Sequence, residues 1–330
     1  MSADHSQDDG TDEAQHDTAP VVLVTDCDMG PADLERAAVE AGGHRLVVAD
    51  CRTEDDVVEA VRASGAVGLL VQYAPITRAV LQACPQVRAL FRYGVGMDNV
   101  DVAAAAELGV VARNVPDYGS AEVADHAVTL LLSLLRGVPA WSRETAGGAW
   151  PARGDLPDPL ELREATLGLL GFGAIAREVG ARARAFGMTV LAHDPFVPGA
   201  DVEAAGARPV GFEELWREST AVSVHAPLTE GTRGVVDARA LGLMAPGSFL
   251  VNTARAGLVD RGALEGALAD GRLAGVGLDV WWTEPADPDD PLVRDPRVLV
   301  TPHVAWLSPG SVRRLRSSAA SRLVDVLREV

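Results

Sequence analysis

The stretch Thr166-Leu-Gly-Leu-Leu-Gly-Phe-Gly-Ala-Ile-Ala176 decides the fold of this chain. Its first five residues, Thr166–Leu170, read as a buried strand. They run directly into Gly171-x-Gly173-x-x-Ala176, the pattern of a strand that turns sharply into a helix. Gly171 makes the tight turn, Gly173 lets backbone N–H groups approach a pyrophosphate, and the small Ala176 lets helix and strand pack closely. The helix turns its positive end toward the phosphates, so Phe172, Ala174 and Ile175 join the glycines as candidate contacts. Twenty-one positions after Gly173, at the end of the next strand Thr189–His193, stands Asp194. An acid there accepts hydrogen bonds from ribose hydroxyls and repels a 2′-phosphate, and no Arg follows within ten residues. A lone Gly-x-Gly often marks only a turn. Here strand, glycines, helix, second strand and acid stand in order, and the expected cofactor is NAD rather than NADP.

Outward from this unit the same alternation continues. Strand patterns at Ala221–His225, Ser248–Asn252, Gly275–Asp279 and Val298–Thr301 complete one series. An earlier series has strands from Val21 and at Arg45–Ala49, Gly68–Gln72 and Arg88–Tyr93, with helices at Asp33–Ala41, Glu54–Ala63 and Thr77–Cys84. Such alternation predicts an α/β fold with two doubly wound parallel sheets, each covered on both faces. A long helix is expected from Ser120 to about Arg136, and an irregular arm over Gly147–Pro159, which is rich in Gly, Pro and Trp. The last helix, Ser311–Val330, follows a sheet already complete, which leaves the first domain as the place for it to pack. Residues 1–19 hold six acidic and no basic residues and read as a disordered tail.

Composition removes several chemistries. All 29 basic residues are Arg, and the 330-residue chain contains no Lys. That excludes Schiff-base enzymes, phosphate-loop NTPases and protein kinases, which need a lysine amine. It also excludes two nicotinamide families that use a catalytic Lys, the short-chain and the β-hydroxyacid dehydrogenases. A net charge of −18 disfavours nucleic acid and anionic membranes as partners. Cys27, Cys51 and Cys84 are odd in number and match no zinc spacing, so free thiols in a reducing cytoplasm are expected and no metal is. His126, His193 and His44 likewise lack metal-ligand spacing and read as structural. The N-terminus has neither the basic start nor the apolar core of a signal peptide.

Four further motifs stand in order: Phe91-Arg-Tyr-Gly-Val-Gly-Met-Asp-Asn-Val-Asp, Val251-Asn-Thr-Ala-Arg-Ala-Gly-Leu-Val-Asp, Gly277-Leu-Asp-Val-Trp-Trp-Thr-Glu-Pro and Val300-Thr-Pro-His-Val-Ala-Trp. With a fingerprint placed mid-chain, they resemble the D-2-hydroxyacid dehydrogenase family from about Val21 to Val330. Asn114-Val-Pro-Asp-Tyr and His303-Val-Ala-Trp306 are most similar to its phosphoglycerate dehydrogenase and C-terminal-binding-protein branch. The resemblance implies a flavodoxin-like substrate domain over 20–116, completed by 308–330, and a Rossmann NAD domain over 117–307, with a cleft between them. It implies hydride transfer between nicotinamide and the 2-carbon of a small 2-keto or 2-hydroxy acid, by a homodimer joined through the NAD domain.

Roles then carry over residue by residue. Arg255 would clamp the substrate carboxylate and polarise the keto oxygen, a task suited to an always-charged fork. His303 would be the general acid in reduction and the base in oxidation, with Glu284 holding its ring. Thr253, Ala254 and Asp279 would contact the nicotinamide half, and the loop His225-Ala226-Pro227, with Thr232, would close over the cofactor. Gly94, Val95 and Gly96 would offer N–H groups to the carboxylate, with Arg92 as a second positive contact and Trp306 as a pocket wall. Taken singly, Arg255 or Glu284 reads as a surface charge and His303 as a core histidine; the ordered set at strand ends is what implies chemistry. The fingerprint's third position is Ala176, and Ala256 follows Arg255 where the family usually has Gly, adding one methyl beside the clamp. Two rivals remain open at this level: an NAD-sensing corepressor-like binding protein, and oxidation of a phosphite- or phosphonate-type substrate.

Overall fold

The computed structural model describes residues 19–330, so the expected acidic tail lies, but for Ala19, outside the described residues. The chain divides into two compact units, one formed by residues up to Gly119 together with Ser308–Val330, the other by Ser120–Leu307.

In the first unit, in chain order, stand β1 (Val21–Val24), α1 (Asp33–Ala41), β2 (Arg45–Val48), α2 (Glu54–Ser64), β3 (Ala66–Val71), α3 (Arg78–Ala83), β4 (Ala89–Arg92), α4 (Val102–Glu107) and β5 (Val111–Asn114). The five strands are all parallel, in the order β2-β1-β3-β4-β5. A capping box between Thr53 and Asp56 starts α2, and Gly65 at φ 69° ends it.

The second unit begins with α5 (Ser120–Leu135) and α6 (Val138–Ala146). There follow β6 (Thr166–Leu170), α7 (Ala174–Ala185), β7 (Thr189–His193), α8 (Gly199–Ala204), β8 (Arg208–Pro209), α9 (Phe212–Glu218) and β9 (Ala221–Val224). It is completed by α10 (Ala238–Gly242), β10 (Ser248–Asn252), α11 (Arg261–Ala269), β11 (Leu273–Leu278), α12 (Pro291–Arg294) and β12 (Val298–Val300). Its seven strands are also all parallel, in the order β12-β11-β10-β9-β6-β7-β8. The order reverses beside β6, so the glycine turn leaves the carboxyl end of a central strand at a switch point. Two cores flank this sheet, one around Leu250, Trp216 and Leu264, the other around Phe172, Leu131 and Leu167.

The last helix, α13 (Pro309–Glu329), returns to the first unit and packs on α1, β3 and β4. Ser308 and Ser311 form its capping box. Gly42 and Gly68 leave the space that its Val324 and Leu327 fill. The expected irregular arm, Gly147–Pro159, lies within residues 147–161, which have no regular structure, and the helix Val138–Ala146 precedes it. Among the described residues no single helix is long and apolar enough to cross a membrane.

Candidate active site

The glycine turn is built by close backbone approach. Gly171 has φ 88°, and a Cβ there would lie 2.7 Å from the Ala226 backbone nitrogen, so only glycine fits. A Cβ at Gly173 would meet nothing within 4 Å, which leaves open space at the start of α7. No side chain caps that helix, so its first-turn N–H groups are left for an anion. Asp194 ties the turn to the strand end: Phe172 N–H donates to its Oδ2 at 2.8 Å and Phe196 N–H to its Oδ1 at 2.9 Å. Ala176 is fully buried against the sheet. An uncapped helix start, an open cradle and an acid at the next strand end fit a dinucleotide without a 2′-phosphate.

At the end of β10, Asn252 organises the next segment. Its side chain accepts from Ala254 N–H at 3.0 Å and donates to the Arg255 carbonyl at 2.9 Å. That side-chain turn holds Arg255 in extended backbone, φ −145°, where its Nη1 donates to the Ala254 carbonyl at 2.7 Å. Sequence reasoning assigned Asn252 no role, although Asn at a strand end commonly bonds backbone two residues on. The Thr253 hydroxyl is buried without a hydrogen-bond partner among the described residues, a donor set aside for a group the chain itself does not supply.

His303 and Glu284 meet. The ring Nδ1 lies 2.8 Å from Glu284 Oε2, while Glu284 Oε1 accepts from Trp281 N–H at 3.0 Å. Burial pushes the Glu284 carboxyl up, but the His303 hydrogen bond, the Trp281 N–H and the charges of His303 and Arg255 together hold it below its ordinary value. Glu284 is therefore a carboxylate at neutral pH, facing a ring that it can stabilise as the cation. Asp279 is buried beneath the same loop, with both carboxylate oxygens engaged by residues 301–305.

The other expected residues fall as follows. The His225 ring nitrogen Nε2 lies 2.8 Å from the Ser223 hydroxyl, and burial pushes the ring down to about 4, so it is neutral. The Thr232 hydroxyl donates to the Pro227 carbonyl at 2.6 Å, bracing that loop from within. Trp306 follows the His303 turn, half-buried. In the first unit, Gly94 stands just after β4 at φ 123°, and a Cβ there would overlap the Arg92 guanidinium. Val95 beside it is exposed, and its carbonyl accepts from the Asn114 side chain at 2.5 Å; Gly96 follows on the same loop.

The profile described as "D-isomer specific 2-hydroxyacid dehydrogenase, NAD binding domain" matches residues 128–305. The chain is 37% identical over 287 residues to (S)-sulfolactate dehydrogenase of Chromohalobacter salexigens, covering 86% of this chain and 90% of that protein. It is 38% identical over 226 residues to D-3-phosphoglycerate dehydrogenase of Archaeoglobus fulgidus, 68% of this chain but only 42% of that longer protein. Among solved structures, D-lactate dehydrogenase from Aquifex aeolicus, complexed with NAD and lactic acid, aligns with a TM-score of 0.80 at 25% identity, covering 94% of this chain and 95% of that one.

Proposed function

This chain belongs to the D-isomer-specific 2-hydroxyacid dehydrogenase family, and from that premise we propose how its own residues divide the reaction. The reaction is NAD-dependent and interconverts a small 2-keto acid and its 2-hydroxy acid. The dinucleotide, when bound, would supply the hydride chemistry, as NADH in reduction and NAD+ in oxidation, and the protein must supply one proton, one clamp for the carboxylate and a place for the dinucleotide.

The proton is the task of His303. Nδ1 is committed to Glu284, so Nε2 is the atom that gives the proton to the 2-oxygen in reduction and removes it in oxidation. Arg255 is the clamp, its planar guanidinium close enough to Glu284 to act on its charge. The turn Gly171–Ala176 and the start of α7 hold the pyrophosphate, Asp194 the ribose hydroxyls, and Thr253 and Ala254 the nicotinamide end. The Gly94–Gly96 backbone is assigned to the substrate carboxylate. The observation that carries this reading is the 2.8 Å pairing of His303 with an ionised Glu284 beside Arg255, because a proton donor needs a counter-charge and a substrate anion needs a cation.

The test is a panel of 2-keto acids, including hydroxypyruvate, phosphonopyruvate and aromatic members, scored by NADH consumption. Stoichiometric reduction of one or more is expected. Binding of NADH without turnover of any would favour the NAD-sensing alternative, and NAD reduction by phosphite the other rival.

We also assign the chain to the cytoplasm as a homodimer. Three free cysteines suit a reducing compartment. The helix α6 buries none of its residues, and Val138 and Trp150 are 55% and 89% exposed, which supports a subunit contact there. Sedimentation at micromolar concentration decides it: a monomer would remove the assignment.

A further inference from the structure

His303 sits at φ 55°, in the left-handed backbone region. That conformation is unfavourable for a residue with a Cβ, so its surroundings must hold it there. A single buried residue does much of this. His303 N–H donates to the Asp279 carbonyl at 2.8 Å, Val304 N–H to Asp279 Oδ1 at 3.0 Å, and Ala305 N–H to Oδ2 at 2.8 Å. The Thr301 hydroxyl donates to Oδ1 at 2.5 Å. The turn that presents the ring to Glu284 is thus strung on Asp279, which is 1% exposed.

Behind this turn lies a residue that the reaction does not use directly. His126, in the first half of α5, brings Nε2 to 2.9 Å from Thr301 Oγ1 and 3.6 Å from Asp279 Oδ1. An ionised carboxylate only accepts, and a hydroxyl has one proton to give. Thr301 spends that proton on Asp279, so His126 Nε2 must carry a hydrogen and donate it to Thr301 Oγ1. The result is a directed chain of donation from α5 through Thr301 to the carboxylate that shapes the His303 turn.

We propose that His126 is a positioning residue for hydride transfer: through Thr301 it fixes Asp279 and so the turn that aims His303 at Glu284. The proposal rests on His303 being the proton donor. A histidine that merely fastened α5 to the sheet would matter for stability and not for the orientation of a ring 177 residues away in sequence.

Two pairs of variants of the full-length protein test it. His126→Leu removes the donor, and His126→Gln keeps an N–H near the place of Nε2. Thr301→Val removes the hydroxyl, and Thr301→Ser keeps it. The readouts are kcat with the best keto acid of the panel, NADH affinity by fluorescence, and the ring signals of His303 in 15N-histidine-labelled protein. Leu and Val should each lower kcat by about 10- to 100-fold with NADH affinity kept, since small misplacements of a reacting group cost that much. The double variant should be no worse than Thr301→Val alone, Gln and Ser should restore most of the rate, and the His303 ring signals should move in His126→Leu. Wild-type kcat in both Leu and Val variants, or losses that Gln and Ser fail to restore, would overturn it. If His126→Leu does not fold, the Thr301 pair carries the same test. If no keto acid is reduced at all, the functional reading fails, while unmoved His303 signals in His126→Leu or Thr301→Val would defeat the positioning role on its own.

Discussion

Arg316 of α13 grips Glu35 of α1 with two hydrogen bonds of 2.7 Å, Nε to Oε1 and Nη2 to Oε2, and both side chains are buried. The Tyr93 hydroxyl adds a third donor to Glu35 Oε1 at 3.0 Å, and the guanidinium also reaches the carbonyls of Met29 and Pro31. Removing one partner of such a pair strands the other charge and costs about 3–5 kcal/mol, whereas replacing both with apolar residues of similar volume costs little. Glu35→Ala should therefore destabilise the first unit by about that amount in urea. Glu35→Leu combined with Arg316→Met should recover most of it. A Glu35→Ala protein as stable as wild type would show that the pair does not hold α13 in place.

Arg255→Ala should lower kcat/KM by about 10²–10³-fold, the usual cost of losing a charge-stabilising donor, while NADH affinity changes little. Arg255→Lys should also be poor, because an ammonium cannot reproduce the planar fork. Steady-state kinetics with one good keto acid decides this: near-normal kcat/KM in the Lys variant would refute the clamp.

Glu284 is held ionised below the ordinary carboxylate range, so its counter-charge is present throughout the neutral region and fades only as pH falls through that lowered value. Glu284→Gln keeps the shape and removes the charge. In the reductive direction, which needs the protonated ring, the alkaline limb of kcat/KM should move to lower pH. Oxidation, which needs the neutral ring, should become possible at lower pH. His303→Ala should lose most activity at every pH in both directions. An unmoved alkaline limb in Glu284→Gln would show that Glu284 is not coupled to the His303 proton donor.

His225 gives a prediction about stability. Its ring is neutral in the native protein down to about pH 4, whereas an unfolded histidine takes up its proton near 6.5. Below 6.5 the unfolded chain binds the extra proton, so stability should fall as pH drops from 6.5 to about 4, by about 3 kcal/mol in all, and this contribution is constant above 6.5. His225→Gln should remove that share of the slope. Urea midpoints at several pH values measure it, and identical slopes would show that His225 protonates freely.

Cofactor choice should follow Asp194. Wild type should prefer NAD over NADP by at least about tenfold in kcat/KM, equivalent to about 1.4 kcal/mol. Asp194→Asn, which removes the charge while keeping an acceptor for Phe172 N–H, should narrow that ratio. Equal use of both cofactors by wild type would sink the assignment.

What the sequence made legible was whatever is local. Gly171, Gly173 and Asp194 read correctly as a strand-turn-helix unit because the turn admits few residues and the acid follows at a set distance. Both parallel sheets could be read from apolar strand runs. Val102–Glu107 and Val111–Asn114 went unread because a six-residue helix shows too little periodicity and β5 is only half-buried. Val138–Ala146 also went unread as a helix, because it has no buried face and so no apolar period to betray one. Asn252 lay inside a quoted motif, yet its two bonds depend on a turn visible only in three dimensions. His126 and Thr301 are 175 residues apart, and no local pattern joins them.

The return of α13 to the first unit also sets an order of events during synthesis. Residues 19–119 leave the ribosome early, carrying Glu35 and the small-residue floor of Gly42 and Gly68, but Arg316, Val324 and Leu327 are made only after the whole second unit. The first unit therefore waits, with an unneutralised acid beside an uncovered apolar groove, until translation has passed Ser308. A message truncated before that point would yield a finished second unit attached to an unfinished first one, a marked substrate for chaperones and proteases.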